Sequence, residues 1–212
     1  MKYNYIVIEG NIGAGKTSLA KMIAKDYNAK LILERFEDNS FLPKFYNDPD
    51  RYAFPLEMSF LADRFQQLKE DLASHDLFKS FTIADYFIDK SLIFARKTLQ
   101  DDEFVLYSRL FEIINSSLPK PDLIIFLFAK IDCLKHNILQ RGREYEKNIK
   151  VSYLEKIQSG YLDYFKIIKG TRILIVDTGN TDFVKNSDDY FKITELLYKD
   201  YSTGIHRITF NE

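Results

Sequence analysis

A glycine-rich segment near the amino terminus contains the residue types that bind nucleotide phosphates, at the spacing that such binding requires. The segment is a complete Walker A pattern and comprises Gly10, Asn11, Ile12, Gly13, Ala14, Gly15, Lys16 and Thr17. Its glycines let backbone amides face phosphate oxygens, its lysine can bridge the outer phosphates, and its threonine hydroxyl can bind Mg²⁺. The segment therefore predicts binding of ATP with Mg²⁺. The reaction stays open, because switches, motors and kinases share this loop.

Two carboxylates follow short apolar runs later in the chain. Glu34 comes directly after residues 30–33, and Asp85 directly after residues 80–84. Doubly wound sheets bind their ligands at the carboxyl ends of the strands, so both carboxylates are expected near the phosphate loop. Asp85 is a candidate Mg²⁺ ligand, although it could instead cap the following helix. By position alone, the better interpretation of Glu34 is a surface carboxylate paired with Arg35 or a nearby lysine.

Two arginines flank a glycine after the helical pattern of residues 131–141. They are Arg141 and Arg143, and the acidic residues Glu144 and Glu146 follow them. An isolated Arg-Gly-Arg is usually a solvated turn. On a mobile segment, however, such cations can form a lid that closes over the phosphates when nucleotide binds. We favour the interpretation of this segment as a lid.

Several segments, in order along the chain, resemble the deoxynucleoside kinase family. They are Glu34 to Asn39, Phe45 to Pro49, Tyr52 to Met58 with Arg64 and Gln67 on the same helix, Ile83 to Tyr86, Leu118 to Asp122, and Gln140 to Glu146. The resemblance extends over roughly residues 3 to 199 and is greatest to the bacterial deoxyguanosine and deoxyadenosine kinases. It implies ATP-dependent phosphorylation of the 5′-hydroxyl of a purine deoxynucleoside, by an enzyme that is usually a homodimer.

The resemblance also implies roles for individual residues. Glu34 is the expected general base, and Lys16, Arg141 and Arg143 the expected phosphate-binding cations. Tyr46 and Glu146 match the residues that bind the sugar 3′-hydroxyl, and Tyr46 would crowd a 2′-hydroxyl. The remaining expected ligands are Glu57 and Arg64 for the base, and Thr17 and Asp85 for Mg²⁺.

Two positions differ from the usual family pattern. Most members have an acid-Arg-Ser triplet where this chain has Asp85-Tyr86-Phe87, so the arginine that contacts the transferred phosphate is missing. Lys90 is one candidate for the replacement charge. The other position is Glu57, which is commonly Gln in the family. Guanine presents two adjacent donors to an acceptor-only carboxylate, so we expect deoxyguanosine to be preferred over deoxyadenosine.

Two other functions share the phosphate loop. A nucleoside monophosphate kinase such as a thymidylate kinase must bind an acceptor phosphate, for which Arg35 would be available. A nucleotide-binding switch without turnover would be expected to contain a guanine-specificity motif such as Asn-Lys-x-Asp, which this sequence lacks. A kinase whose phosphate acceptor is an uncharged hydroxyl fits the sequence pattern better than either of these two functions.

The elements that must position these residues alternate along the chain. Apolar runs at residues 5–8, 30–33, 80–84, 123–128 and 172–176 predict five strands of a parallel sheet. Helical periodicity occupies residues 17–27, 56–73, 91–99, 103–116, 131–141 and 151–169. We therefore predict an α/β P-loop kinase fold with helices on both faces, a domain over residues 1–200, and a loose tail over residues 201–212.

Composition narrows the function further. Among 212 residues, 30 are Lys or Arg and 31 are Asp or Glu, so a net charge of −1 offers no field to attract a nucleic-acid polymer or an anionic membrane. The longest apolar run is far shorter than the ~20 residues that span a bilayer. The single cysteine, Cys133, can form no internal disulfide. We expect a cytoplasmic protein.

Overall fold

The structure is a computed structural model that describes residues 2–35, 39–73, 76–147 and 149–210. Its strands are Tyr5–Gly10 (β1), Lys30–Ile32 (β2), Thr82–Ala84 (β3), Leu123–Phe128 (β4), Arg172–Asp177 (β5) and Gly204–Ile208 (β6). Its α-helices are Lys16–Asp26 (α1), Leu42–Asn47 (α2), Pro49–Ala73 (α3), Asp89–Thr98 (α4), Asp101–Asn115 (α5), Ile131–Arg141 (α6), Val151–Ile167 (α7) and Ser187–Glu195 (α8).

The strands form one parallel sheet in the order β2-β3-β1-β4-β5-β6. Helices α1, α6 and α8 cover one face, and α3, α4, α5 and α7 cover the other. Because both faces are covered, every residue of β1 is buried, which explains why the strands are apolar without alternation. The predicted α/β fold with a parallel sheet and flanking helices is confirmed.

Within the described residues, the sheet has one strand more than the five predicted. Instead of a loose tail, Gly204–Ile208 pairs with β5 as the edge strand β6. An edge strand is only partly covered, and Ile205 is 40% exposed, so this segment lacks the continuous apolar run that identifies a buried strand. The periodicity also missed α2 and α8, and it placed the start of α3 at Leu56, although the helix begins at Pro49.

The register brings three chain segments to one edge of the sheet. Ala84 on β3 is level with Val7 on β1 and with Ile32 on β2. The chain therefore leaves β1 at Gly10, β2 just before Glu34 and β3 just before Asp85 at the same end. This arrangement places the phosphate loop beside both predicted carboxylates.

In the described parts of the chain, no helix has the length and apolar content needed to cross a membrane. The cytoplasmic location stays a prediction.

Candidate active site

The phosphate loop connects the buried strand β1 to the first turn of α1. Gly13 and Gly15 have φ angles of 83° and 87°, in the left-handed region that favours glycine. A Cβ atom on Gly13 would lie 2.6 Å from the carbonyl oxygen of Leu134, so this turn also needs the space that glycine leaves. The Asn11 side chain donates to the carbonyl of Leu154 on α7 at 2.8 Å and ties the loop to the core.

Lys16 is the first residue of α1 and is half-buried. Its Nζ donates to the carbonyl oxygen of Asn11 at 2.9 Å and so stays close to the loop. Burial lowers the pKa of Lys16 to about 8, and the positive charge of Lys90 contributes to the same effect. A partly desolvated ammonium interacts more strongly with phosphate than one in bulk water.

Asp85 joins the phosphate loop to the segment after β2. One of its carboxylate oxygens accepts from the Thr17 hydroxyl at 2.5 Å, and the other accepts from the backbone N–H of Glu34 at 2.8 Å. Asp85 therefore does not act only as a helix cap. A carboxylate beside a hydroxyl is the kind of hard oxygen pair that suits Mg²⁺.

Glu34 lies between two cations. Lys90 Nζ is 2.6 Å from one carboxylate oxygen, and Arg64 donates to the other through Nε at 2.8 Å. The side chain of Glu34 is only 10% exposed, which excludes the surface pairing with Arg35. Burial alone would raise its pKa, but Lys90 and Arg64 outweigh burial and lower the pKa to about 2. Glu34 is thus a carboxylate throughout the physiological pH range.

Glu57 has a different environment on α3. The residue is 2% exposed, and its Oε1 accepts a hydrogen bond from the Thr98 hydroxyl at 2.9 Å. Among the described residues, Oε2 has no hydrogen-bond partner. Burial raises the pKa of Glu57 to about 7 against the opposing effects of Arg64 and Thr98.

The predicted lid residues converge on one acid. Glu146, in a short 3₁₀ helix at Glu144–Glu146, is buried and forms ion pairs with Arg141 and Arg143. Tyr46 stacks on Tyr145 with the ring centroids 6.2 Å apart, so α2 and the lid are in contact. Tyr46 and Glu146, the predicted ligands of the 3′-hydroxyl, line one cavity, which is described next as the acceptor cavity.

Two cavities meet at this edge of the sheet. The larger, about 860 Å³, extends from the phosphate loop along α6 to the segment after β5, and we call it the donor cavity. The smaller, about 100 Å³, lies among α2, α3, α4 and α7, and we call it the acceptor cavity. Both cavities are lined by Lys16, Thr17, Arg141 and Arg143.

The predicted residues divide between the two cavities. Gly13, Ala14 and Gly15 line only the donor cavity. The residues that line only the acceptor cavity include Ile12, Glu34, Tyr46, Glu57, Arg64, Asp85 and Glu146. Gly10 and Asn11 are not among the residues that line either cavity. Asn11 is fully buried and supports the loop through its hydrogen bond to α7.

Sequence reasoning missed several residues of the site. Thr98 holds Glu57, and Tyr153 of α7 lines the acceptor cavity. Glu9 at the end of β1 is fully buried, where its Oε2 accepts from the Tyr161 hydroxyl at 2.8 Å and from the Gly10 N–H at 2.9 Å. An acid inside an apolar strand was the available signal for Glu9. Thr98 and Tyr153 have ordinary helical positions that gave no signal.

Comparisons with known proteins identify the family of this chain. The model of the deoxynucleoside kinase family matches residues 6–201. The chain is 41% identical over 194 residues to the deoxyguanosine kinase of Bacillus subtilis (strain 168), covering 89% of this chain and 93% of that protein. It is 28% identical over 203 residues to the deoxyadenosine/deoxycytidine kinase of the same organism, covering 92% of both chains.

Solved structures share the fold. The structure of a deoxyadenosine kinase from M. mycoides with dCMP and a flexible dCDP bound superposes with a TM-score of 0.79. It is 24% identical in sequence and covers 92% of this chain and 98% of its own. With a family match over nearly its whole length, a loop that suits phosphates and an adjoining carboxylate-lined cavity, this chain belongs to the deoxynucleoside kinase family.

Proposed function

We propose that the enzyme transfers the γ-phosphoryl group of ATP to the 5′-hydroxyl of a purine deoxynucleoside, with deoxyguanosine preferred over deoxyadenosine. The observation that carries this proposal is the junction of the two cavities at Lys16, Thr17, Arg141 and Arg143. A triphosphate in the donor cavity and a nucleoside in the acceptor cavity would meet there. As the 5′-oxygen bonds to the γ-phosphorus, the bond to the β–γ bridging oxygen breaks and ADP leaves.

The cations at the junction would neutralise the transferred group. Lys16 is partly desolvated at the loop, and Arg141 and Arg143 lie on the lid side of the same junction. In phosphoryl transfer such fixed charges supply most of the rate enhancement. The Thr17 hydroxyl and the Asp85 carboxylate would hold Mg²⁺, which contributes further charge neutralisation when it is bound.

Glu34 would receive the proton of the 5′-hydroxyl. It lines only the acceptor cavity, and Lys90 and Arg64 hold its two oxygens in place. Its low pKa makes it a weak base, which suits a loose transition state in which the hydroxyl loses its proton late. Lys90 would supply the charge that the missing arginine after Asp85 provides elsewhere in the family.

The rest of the acceptor cavity suits a deoxynucleoside. Tyr46 and Glu146 would bind the sugar, and the crowding by Tyr46 would disfavour a 2′-hydroxyl. Glu57 would accept from the two adjacent donors of guanine, while Arg64 could donate to the guanine carbonyl and imidazole nitrogen. The names of the two Bacillus subtilis relatives, a deoxyguanosine kinase and a deoxyadenosine/deoxycytidine kinase, support a deoxynucleoside acceptor.

A monophosphate acceptor fits this cavity less well. Glu34, Glu57 and Glu146 all line it. Of its cations, Arg64, Lys90 and Arg141 already pair with carboxylates. Arg35, the residue that could have bound an acceptor phosphate, is exposed. An additional anion would therefore meet repulsion that a neutral hydroxyl avoids.

A substrate panel tests the proposal. We would incubate the protein with MgATP and each common deoxynucleoside, ribonucleoside and deoxynucleoside monophosphate, and measure product by chromatography. We expect deoxyguanosine monophosphate to form fastest and deoxyadenosine monophosphate next. The control variant Lys16→Ala should retain its melting temperature and lose roughly 100-fold or more in rate. Phosphorylation of monophosphates alone, or turnover by Lys16→Ala within about threefold of wild type, would contradict the proposal.

A further inference from the structure

The two oxygens of Glu57 have different surroundings in the acceptor cavity. Oε1 faces Thr98, whose hydroxyl also lies 3.0 Å from the carbonyl oxygen of Phe94. A hydroxyl has one hydrogen and can also accept. Thr98 can therefore donate to Oε1 of an ionised Glu57, and also to the carbonyl oxygen Oε1 of a Glu57 that is protonated on Oε2. This arrangement satisfies either charge state of the carboxyl group.

The surroundings of Glu57 favour neither its ionised nor its neutral form strongly near neutral pH. Burial raises the pKa of Glu57 to about 7, and Arg64 and the Thr98 hydrogen bond oppose this effect. The titratable and charged side chains around Glu57 come from several elements of the fold. They are Arg64 of α3, Lys90 of α4, Glu34 after β2, Tyr46 of α2, Tyr107 of α5 and Tyr153 of α7.

The two charge states present different hydrogen-bonding groups. An ionised carboxylate only accepts, which matches the ring N–H and exocyclic amine of guanine. A neutral carboxyl group has one donor and one acceptor, which matches the ring nitrogen and exocyclic amine of adenine. A mismatched pair leaves a buried polar group unpaired, and Oε2 has no other partner among the described residues.

We infer that the protonation state of Glu57 selects the purine: the ionised form accepts deoxyguanosine, the neutral form accepts deoxyadenosine, and the preference for deoxyguanosine rises with pH. This inference rests on the proposed function and adds a determinant of specificity to it. If each purine were bound by one form alone, the ratio of the two specificity constants would rise tenfold for each pH unit. Incomplete selection would give a smaller slope of the same sign.

The experiment compares kcat/KM for deoxyguanosine and deoxyadenosine at pH 6, 7 and 8 with saturating MgATP. The ratio is informative because pH effects on the phosphate loop, Glu34 and ATP act on both substrates and cancel. The purine bases themselves do not titrate in this range. For wild type we expect the ratio of deoxyguanosine to deoxyadenosine to rise about tenfold or more from pH 6 to pH 8.

Two variants separate Glu57 from other causes, with melting temperatures as a check on folding. Glu57→Gln cannot ionise, so its ratio should favour deoxyadenosine and stay within about twofold across the range. Thr98→Val removes a hydrogen bond that lowers the pKa of Glu57, so it should shift the ratio toward deoxyadenosine at each pH. Should Glu57→Gln prove unstable, the wild-type and Thr98→Val ratios still decide the question.

The outcomes are distinct. A wild-type ratio that changes less than about twofold, or an equal slope in Glu57→Gln, overturns this inference and leaves the proposed function standing. If wild type phosphorylates neither purine nucleoside at any of the three pH values, the proposed function fails, and this inference fails with it.

Discussion

Glu34 illustrates how individual side chains create the chemistry of this site. Two cations contact its oxygens, and the backbone N–H of the same residue is bound to Asp85. The carboxylate is therefore fixed in position and charge before any substrate arrives. Preorganisation of this kind reduces the reorganisation that the reaction would otherwise need.

Replacing Glu34 by Gln should lower kcat by about 100-fold or more, with a smaller change in the KM for the nucleoside. The amide retains the shape and one acceptor but cannot take the proton, so the loss occurs mainly in the transition state. Steady-state kinetics with deoxyguanosine would measure both constants. An unchanged kcat would show that Glu34 does not accept the proton.

Replacing Lys90 by Met should lower kcat/KM by about tenfold or more, because Glu34 loses one of the two ion pairs that fix its carboxylate. Lys90→Arg keeps a positive charge and should recover part of the loss. This conservative variant distinguishes a requirement for charge from a requirement for packing against Phe94. Activity of Lys90→Met close to that of wild type would assign Lys90 a packing role.

At the level of helices and strands, the phosphate loop depends on its contact with α6. Gly13 and Gly142 both have left-handed φ angles, but only Gly13 is crowded, by the carbonyl of Leu134 on that helix. No described atom lies within 4 Å of a Cβ placed on Gly142. The two glycines therefore form a matched pair that separates backbone strain from steric conflict.

Gly142→Ala should cost about 1 kcal/mol of unfolding free energy, because alanine is strained in the left-handed region. Gly13→Ala should cost roughly 1–3 kcal/mol more and raise the KM for ATP, since the loop must move away from α6. Denaturant unfolding and ATP kinetics would measure these effects. Equal destabilisation by the two substitutions would mean that the loop relaxes without disturbing α6.

For the whole molecule, the exposed face of α5 suggests how two copies associate, because three large apolar residues lie on it beside Arg109 and Glu112. Val105, Leu106 and Ile113 are 49%, 51% and 71% exposed, on a helix that covers the outer side of α3 and α4. Neighbouring apolar residues exposed in this way commonly mark a protein interface. We propose that this face forms the homodimer that the family resemblance implies.

Ile113→Glu should convert a dimer into a monomer at micromolar concentration, because an unpaired carboxylate in the interface would raise the dimer Kd by about 30-fold or more. Leu139→Glu is the matched control, since Leu139 is 58% exposed on α6 at the opposite face of the sheet. Sedimentation velocity would report the masses. A wild-type monomer, or dissociation by both variants alike, would exclude α5 as the interface.

Local features of the sequence determined the fold class and the position of the phosphate loop. Buried parallel strands must be apolar, a phosphate loop must have glycine where φ is positive, and strand ends mark the ligand edge. Gly13 and the location of Glu34 and Asp85 near the loop could therefore be predicted without coordinates, whereas the role of Glu34 was implied by the family resemblance. The edge strand β6 could not, because a half-exposed strand needs no distinctive pattern.

Only the tertiary structure decided the charge states and partners within the site. Thr98 and Glu57 are 41 residues apart, and Lys90 and Glu34 are 56 residues apart, so no local pattern predicts either contact. Whether a carboxylate is a fixed anion, as at Glu34, or titrates near neutrality, as at Glu57, depends on the balance between burial and nearby cations. That balance arises only when distant helices pack together around the side chain.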